Sequence, residues 1–306
     1  MKAPPTQHGM TLIECMISLT LGMLVILACT ALLLSARNTY LAIDDNARIN
    51  DTGAFALAAI GAAIRQAGYA DRAGDAPPPD PPGKVLYGWD DAALSGNSVA
   101  GRTGSVNGSD ILFTRFMATS ATGAADDNML NCAGLASKNA IPPISTDAAY
   151  TWSIFYIARN GEASHEPELF CKYRARKNKF SATAIARGVE SLQFLYGVDL
   201  NGDGLPDTFL NAGAVDALDG GRQTAPGHWE KVVAVRFALS VRGDHKLPAS
   251  DQATVLDLFG QAYSALHAAD DPGVRLDTGR LNKTERNRAR RLFRSTVMLR
   301  NRNGGQ

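Results

Sequence analysis

The feature that most constrains this chain is the apolar run MTLIECMISLTLGMLVILACTALLLSA, residues 10–36. As a helix it spans roughly 40 Å, more than the roughly 30 Å of a hydrocarbon core, so it can cross a membrane. Apart from Cys15 and Cys29, its only ionisable side chain is Glu14. A carboxylate at the edge of such a run is costly to desolvate, which by default marks a functional group with a partner. A cleaved secretory signal has an apolar core of only about 7 to 15 residues, and this run is too long for one. An ordinary N-terminal anchor accounts for the length but gives no reason for Glu14 or for the Gly9 junction ahead of it. A signal cut before its apolar run accounts for both.

Gly9-Met10-Thr11-Leu12-Ile13-Glu14 resembles the class III signal of type IV prepilins, a short polar leader ending in glycine before a T-L-x-E start. The resemblance implies that prepilin peptidase cuts after Gly9, removes residues 1–9 and methylates the new amino terminus at Met10, where most members carry Phe. Cleavage creates an α-ammonium, and a cation close to Glu14 offsets the desolvation that either charge bears alone. In pilins that cation comes from a neighbouring subunit, which makes Glu14 a subunit-assembly residue. A pair within one chain stays open as well, because Met10 and Glu14 stand four residues apart on one helix face.

The 306 residues, 45% hydrophobic, suffice for a sizeable core beyond the anchor. Lysine and arginine total 31 against 30 acidic residues, so net charge steers the chain toward neither nucleic acid nor membrane. The basic residues are nevertheless bunched, with ten basic and two acidic side chains between Arg275 and Arg302, including Arg286, Arg288, Arg290, Arg291 and Arg294. A solvated face or a subunit contact fits this run better than DNA. Cys15 and Cys29 lie in the apolar run, where cysteine acts as a small apolar residue. Cys132 and Cys171 fall in the part expected outside the cytoplasm, where disulfides persist. Pairing them closes a loop of roughly 40 residues, stabilising by about 3 to 4 kcal/mol in the chain-entropy model.

Past the anchor the pattern stays helical. Residues 38–67 are alanine-rich and free of proline, with Leu41, Ala47, Phe55, Ala59 and Ile60 at roughly helical spacing, and Gly68 is placed to cap the end. The whole helix, Met10 to Ala67, would be roughly 85 Å long. Residues 10–36 are its transmembrane half and 37–68 its periplasmic half, with Gly22, Gly53 and Gly61 as candidate bends or close approaches. Many major pilins have a proline partway along this helix; its absence here favours a minor subunit. A stiff proline-rich connector, 69–83, leads to a head at 84–306. Strands are expected at Ile111–Phe116, Trp152–Ala158, Leu169–Tyr173, Val189–Val198, Val232–Val241 and Ser295–Arg300, and a helix or lobe within Asp251–Asp270. In the fifth strand Val233, Val235, Phe237, Leu239 and Val241 share one face, expected buried, and Ala234, Arg236, Ala238 and Ser240 the other, expected wet. The fold class is therefore α+β: a long N-terminal helix with a mainly antiparallel β-sheet head packed on its second half, the type IV pilin fold.

Arg65-Gln66-Ala67-Gly68-Tyr69, Tyr196-Gly197-Val198-Asp199, Trp229 ahead of Val232-Val233-Ala234-Val235-Arg236, and Thr296-Val297-Met298-Leu299-Arg300-Asn301 are similar to the PilW family of minor pilins. That resemblance implies a single-pass inner-membrane protein with a periplasmic head that primes pilus assembly and sits at the pilus tip. It also implies the partners: other minor pilins, the major pilin, a PilY-type tip adhesin, prepilin peptidase and the inner-membrane assembly platform. A type II secretion pseudopilin and a membrane-anchored ligand- or DNA-binding module are the alternatives.

The stretch Asp199-Leu-Asn201-Gly-Asp203-Gly-Leu205-Pro-Asp207 sets oxygen side chains at alternate positions beside glycines that permit a tight turn. It fits the D-x-N-x-D-G-x-x-D loops that wrap calcium, with Leu205 offering its backbone carbonyl, so calcium is the one cofactor expected. The twelfth position, where an EF-hand needs glutamate, is Leu210. A strand-joining Asx turn without an ion is the plainer reading of the same residues. The five histidines, His8, His165, His228, His245 and His267, show no metal-ligand spacing, and neither G-x-S-x-G nor a Walker A loop occurs, so no enzyme is expected.

Overall fold

The computed structural model describes residues 9–69, 83–94, 96, 99, 101–117, 126–137, 150–159, 161, 165–175, 179–220, 227–246 and 253–301. Leader residues 1–8 and connector residues 70–82 lie outside these. The chain forms two compact units, Met1–Ala47 and Arg48–Gln306.

Helix α1, Leu12–Gln66, begins in the first unit and ends in the second. Its bounds lie within two residues of those expected. In the first unit the helix is bare: Leu12, Ile13, Ile17, Leu19, Leu21 and Leu24 are each more than half exposed. Its most apolar window has a mean hydropathy of 2.5 and is 0% buried. Such a surface requires hydrocarbon or other helices around it.

The second unit begins with the rest of α1, where Ile49, Ala56, Ile60, Ala63, Ile64 and Ala67 are buried. Their spacing makes one apolar stripe. Of the residues expected there, Ile60 faces the core, Ala59 borders it and Phe55 is 51% exposed. The buried seam therefore lies to one side of the stripe expected.

Beyond α1 come β1 (Leu86–Trp89), β2 (Ala92–Ala93), β3 (Arg102–Thr103), β4 (Ile111–Met117), β5 (Asp126–Leu130), β6 (Ala136–Ser137), β7 (Tyr150–Arg159) and β8 (Pro167–Arg174). Then follow β9 (Phe180–Arg187), β10 (Val189–Val198), β11 (Thr208–Leu210), α2 (Ala212–Leu218) and β12 (Val232–Lys246). The order closes with β13 (Val255–Asp257), α3 (Gln261–His267), β14 (Arg275–Asp277), α4 (Lys283–Arg286) and β15 (Arg288–Met298). One sheet runs β1-β4-β7-β8-β9 and the other β11-β10-β12-β15, with two-stranded ribbons β2-β3, β5-β6 and β13-β14. Every pairing is antiparallel. Leu112, Phe155 and Leu169 from the first sheet, and Phe194, Phe237 and Val297 from the second, share one core with the α1 stripe.

Two expectations need correction. β12 is not wet on one face: Ala234, Ala238 and Ser240 are buried along with the valines, and only Arg236 in that stretch is exposed. The lobe around β13 and β14 covers the second face, packing Leu258 and Leu276 on Ala238, while Arg236 lies 4.0 Å from the centre of the Phe209 ring. The last strand spans Arg288–Met298 rather than Ser295–Arg300. Its first half, RARRLFR, lacks an apolar alternation because its arginines find partners within the head, Arg288 and Arg290 half-buried and Arg291 and Arg294 at the surface.

Candidate functional site

Three places carry the chemistry: the start of α1, the junction where α1 meets the sheets, and the Asp199 loop. At the first, Thr11 N–H donates to Glu14 Oε2 at 2.8 Å, its hydroxyl donates to the same oxygen at 3.0 Å, and Glu14 N–H donates back to Thr11 Oγ1 at 3.4 Å. This is a capping box, T-x-x-E, which satisfies amides that the first helical turn leaves open. The signal was present in the sequence, three residues apart just before an apolar run. Glu14 is thus held by Thr11, and Met10 contributes an amide nitrogen in the uncut chain. Gly9 and Met10 are both exposed at this end.

At the junction, segments that are distant in sequence meet. Gly68 has φ +74°, the left-handed conformation that closes a helix, and donates its N–H to Arg115 O at 2.9 Å. The Asn301 side chain donates to Arg65 O at 3.0 Å and Ala67 O at 3.4 Å, filling carbonyls the helix end leaves bare. A Cβ on Gly68 would lie 2.4 Å from Asn301 O, so that site requires glycine twice over. Gly53 is a close approach rather than a bend: a Cβ there would fall 2.3 Å from the Phe293 ring of β15. The other two signatures also touch. Tyr196 packs edge-on against Trp229 at 4.7 Å, and Asp199 N–H donates to Lys231 O at 2.9 Å. Trp229 Nε1 donates to Asp216 at 2.7 Å beneath Lys84, whose ammonium lies 5.2 Å over the indole.

Cys132 and Cys171 form a disulfide with Cα atoms 5.7 Å apart, fastening the β5-β6 ribbon to β8. Cys132, Leu130 and Ile185 line an apolar groove with Phe55 and Ala59 of α1, which accounts for the exposed Phe55.

The arginine run of β15 is consumed internally. Arg290 meets Glu190 at 2.7 and 3.2 Å, and Arg288 meets Glu166 at 3.1 Å, with Arg242 also paired to Glu166. Arg294 donates to Asp257 O at 2.6 Å, Arg286 to Gly279 O at 2.6 Å, and Arg291 to Asn50 of α1. Nearby, burial alone would push the Glu285 carboxyl up, but Arg159 at 2.7 Å, backed by Arg242, leaves it below the ordinary range. These groups hold the sheet edge and α4 together.

The expected calcium loop folds as a chain of Asx turns. Asp199 accepts from Gly202 and Gly204 N–H at 2.6 and 2.9 Å, and Asp207 from Leu200 N–H at 2.6 Å. Asn201 Oδ1 accepts from Asp203 N–H at 2.8 Å, and Asp203 Oδ1 from Leu205 N–H at 2.8 Å. Asn201 Nδ2 bridges Asp203 at 3.2 Å and Asp207 at 3.0 Å. The loop thus brings Asn201, Asp203 and Asp207 together, and an amide nitrogen stands between the two acids.

Comparison with known proteins gives two matches. Residues 154–301 match the family model described as Type IV Pilus-assembly protein W, and residues 5–30 match the prokaryotic N-terminal methylation motif. The first covers β10, Trp229, β12 and β15; the second covers Gly9, Met10 and Glu14. No curated protein and no solved structure gives a significant match.

Proposed function

We propose that this chain, a type IV pilus minor pilin of the PilW family held in the inner membrane by α1 with its head in the periplasm, primes filament assembly and occupies the pilus tip. PilW is a pilus-assembly component with a structural role. The observation that carries the finer reading is the division of labour within α1. Its first half exposes every large apolar side chain, while from Ile49 on it lays a buried apolar stripe in the core of the head. A subunit so built can leave the bilayer only by exchanging lipid for the helices of other subunits. The partners are other minor pilins, the major pilin, a PilY-type adhesin and the assembly platform, with prepilin peptidase acting first.

Glu14 has two roles in this proposal: it caps α1 within the chain, and its charge meets the methylated Met10 ammonium of a neighbour. Glu14→Gln separates them, since glutamine serves in a capping box without charge. Mass spectrometry should find the membrane form starting at methylated Met10 in wild type and in Glu14→Gln alike, whereas sheared filaments should lack the variant. An intact Met1 would sink the prepilin reading, and normal incorporation of Glu14→Gln would remove the role of the charge. Deleting the gene should abolish surface pili while other subunits stay in the membrane; normal piliation would refute priming.

Calcium at the Asp199 loop belongs to the same proposal. Turning the Asn201 amide over, which gives up its bond from Asp203 N–H, presents an oxygen where its nitrogen now bridges Asp203 and Asp207, and Leu205 O is close at hand in sequence. Calorimetry on the full chain in detergent tests it: heat from the loop should disappear with Asp203→Ala.

A further inference from the structure

Away from the anchor and the Asp199 loop, three acidic side chains converge inside the head. Asp90 follows β1, Asp110 precedes β4 and Asp271 lies between α3 and β14, and one carboxylate oxygen of each is within 4.8 Å of the others. Ligands on opposite sides of a calcium ion, each at about 2.4 Å, stand about 4.8 Å apart, so the spread is that of one coordination shell. Asp110 and Asp271 are each 1% exposed, while Asp90 is half-buried and leaves a way in.

The grouping alone decides nothing, since backbone amides hold part of it. Asp90 accepts from Ala212 and Gly213 N–H at 2.9 and 2.8 Å, Asp110 from Asp91 and Phe194 N–H at 3.2 and 2.8 Å, and Asp271 Oδ2 from the Tyr263 hydroxyl at 3.0 Å. What these bonds leave over is a second observation. The Gln193 side-chain oxygen and the Tyr196 hydroxyl are buried without a hydrogen bond, and Asp271 Oδ1 is left with the Asn211 side chain as its neighbouring donor. The Tyr196 hydroxyl feels all three carboxylates, and the Gln193 amide lies beside the segments that carry two of them. Gln193 Nε2 donates to Gly108 O at 2.6 Å, and a Cβ on Gly273 would fall 2.5 Å from it, so this amide sits between the approaches to Asp110 and Asp271. The Tyr196 hydroxyl lies over Gly88, where a Cβ would be 1.8 Å away. Gly88 is paired with Leu112, and Asp90 and Asp110 stand just past this end of the β1-β4 pairing, two positions from Gly88 and Leu112 respectively.

Orphaned buried oxygens around three crowded carboxylates form an incomplete set. Among the described residues no lysine or arginine makes a salt bridge with any of the three acids; Lys84 pairs with Asp216, Arg290 with Glu190 and Arg275 with Asp257. Buried charges of one sign need a counter-ion or must take up protons. The donors are all oxygen, which suits a hard cation such as calcium and not zinc. We propose that Asp90, Asp110 and Asp271 hold a calcium ion that ties the β13-β14 lobe to the edge of the five-stranded sheet, with the Gln193 and Tyr196 oxygens at its border. The site depends on neither the pilus reading nor the Asp199 loop.

The test uses the full chain in detergent, stripped with chelator, with calcium titrated while thermal unfolding is followed. Wild type and Asp203→Ala should both unfold at higher temperature with calcium, and Asp110→Asn and Asp271→Asn should lose that rise. Terbium supplies a readout that survives poor folding of those variants. Its emission, excited through tyrosine, should appear in Asp203→Ala, be displaced by calcium, and weaken in Tyr196→Phe. The proposal is overturned if calcium leaves wild type unmoved and terbium stays dark. It is equally overturned if the response vanishes with Asp203→Ala yet persists in Asp110→Asn. A wild type indifferent to calcium but stabilised by Asp110→Asn would show that the acids hold protons instead.

Discussion

Replacing Arg290 by methionine tests the reading of the basic strand as internal architecture. The Arg290 side chain is 6% exposed and Glu190 1%, and two bonds of 2.7 and 3.2 Å join them. The remaining guanidinium donors go to Glu285 O, Arg286 O and Arg288 O, so the fork is used completely. Methionine keeps much of the volume and strands the Glu190 carboxylate, with only the Ser240 hydroxyl at 3.0 Å, among the described residues, left to donate to it. Breaking a buried pair from one side costs about 3–5 kcal/mol, whereas replacing both partners by apolar groups of similar volume is often neutral or better. At roughly 2–4 °C per kcal/mol for a unit of this size, the midpoint should fall by about 6–20 °C. Thermal unfolding of the full chain in detergent, followed by tryptophan fluorescence under non-reducing conditions, measures it. Glu190→Met with Arg290→Met should recover most of the loss. The reasoning fails if Arg290→Met unfolds within about 3 °C of wild type, the shift expected of a solvated arginine worth no more than about 1 kcal/mol.

Other outcomes follow from single contacts. Cys132→Ser with Cys171→Ser should destabilise the head by about 4 kcal/mol, read from urea midpoints, because the bridge closes a long loop in the unfolded chain. Gly53→Ala should lower stability by about 1–3 kcal/mol despite alanine's better helix propensity, since the new methyl meets the Phe293 ring; a rise in the thermal midpoint would show that the ring moves aside freely. Glu285 has its carboxyl held below the ordinary range, so the stability it adds is present above the unfolded value near pH 4.3 and is lost as pH falls through the lower folded value. Glu285→Gln should therefore be less stable than wild type at pH 6 and converge with it in strong acid, as a pH series of unfolding midpoints would show. Asn301→Ala should loosen the last turn of α1, raising hydrogen exchange at the amides near Arg65 and Ala67 while leaving β10 protected.

Local features were the legible ones. The helix, Gly68, five of the six expected strands and the cysteine pair all follow from patterns within a few residues of one another, or from compartment. What sequence reading missed depends on distant partners. The arginines of β15 look like a solvated run until Glu190 and Glu166, 100 and 122 residues away from Arg290 and Arg288, are brought against them. The second face of β12 looks wet because alanine and serine carry little hydrophobic signal, and only the lobe that lands on it decides its burial. Asp90, Asp110 and Asp271 belong to no spacing motif, since three different connections deliver them. The Thr11 capping box is the exception, a local T-x-x-E signal in which Glu14 finds its partner inside its own helix.

The Asn301 cap sets an order of events during export. Its bond to Ala67 O joins positions 234 residues apart, so the periplasmic end of the anchor helix is finished by a residue delivered long after the helix itself. Translocation begins with α1, and β15 with Asn301 crosses late. Until then the helix end keeps bare carbonyls and Gly53 has no Phe293 against it. A subunit interrupted anywhere before this point carries an intact anchor helix but an unfinished junction between that helix and the sheets.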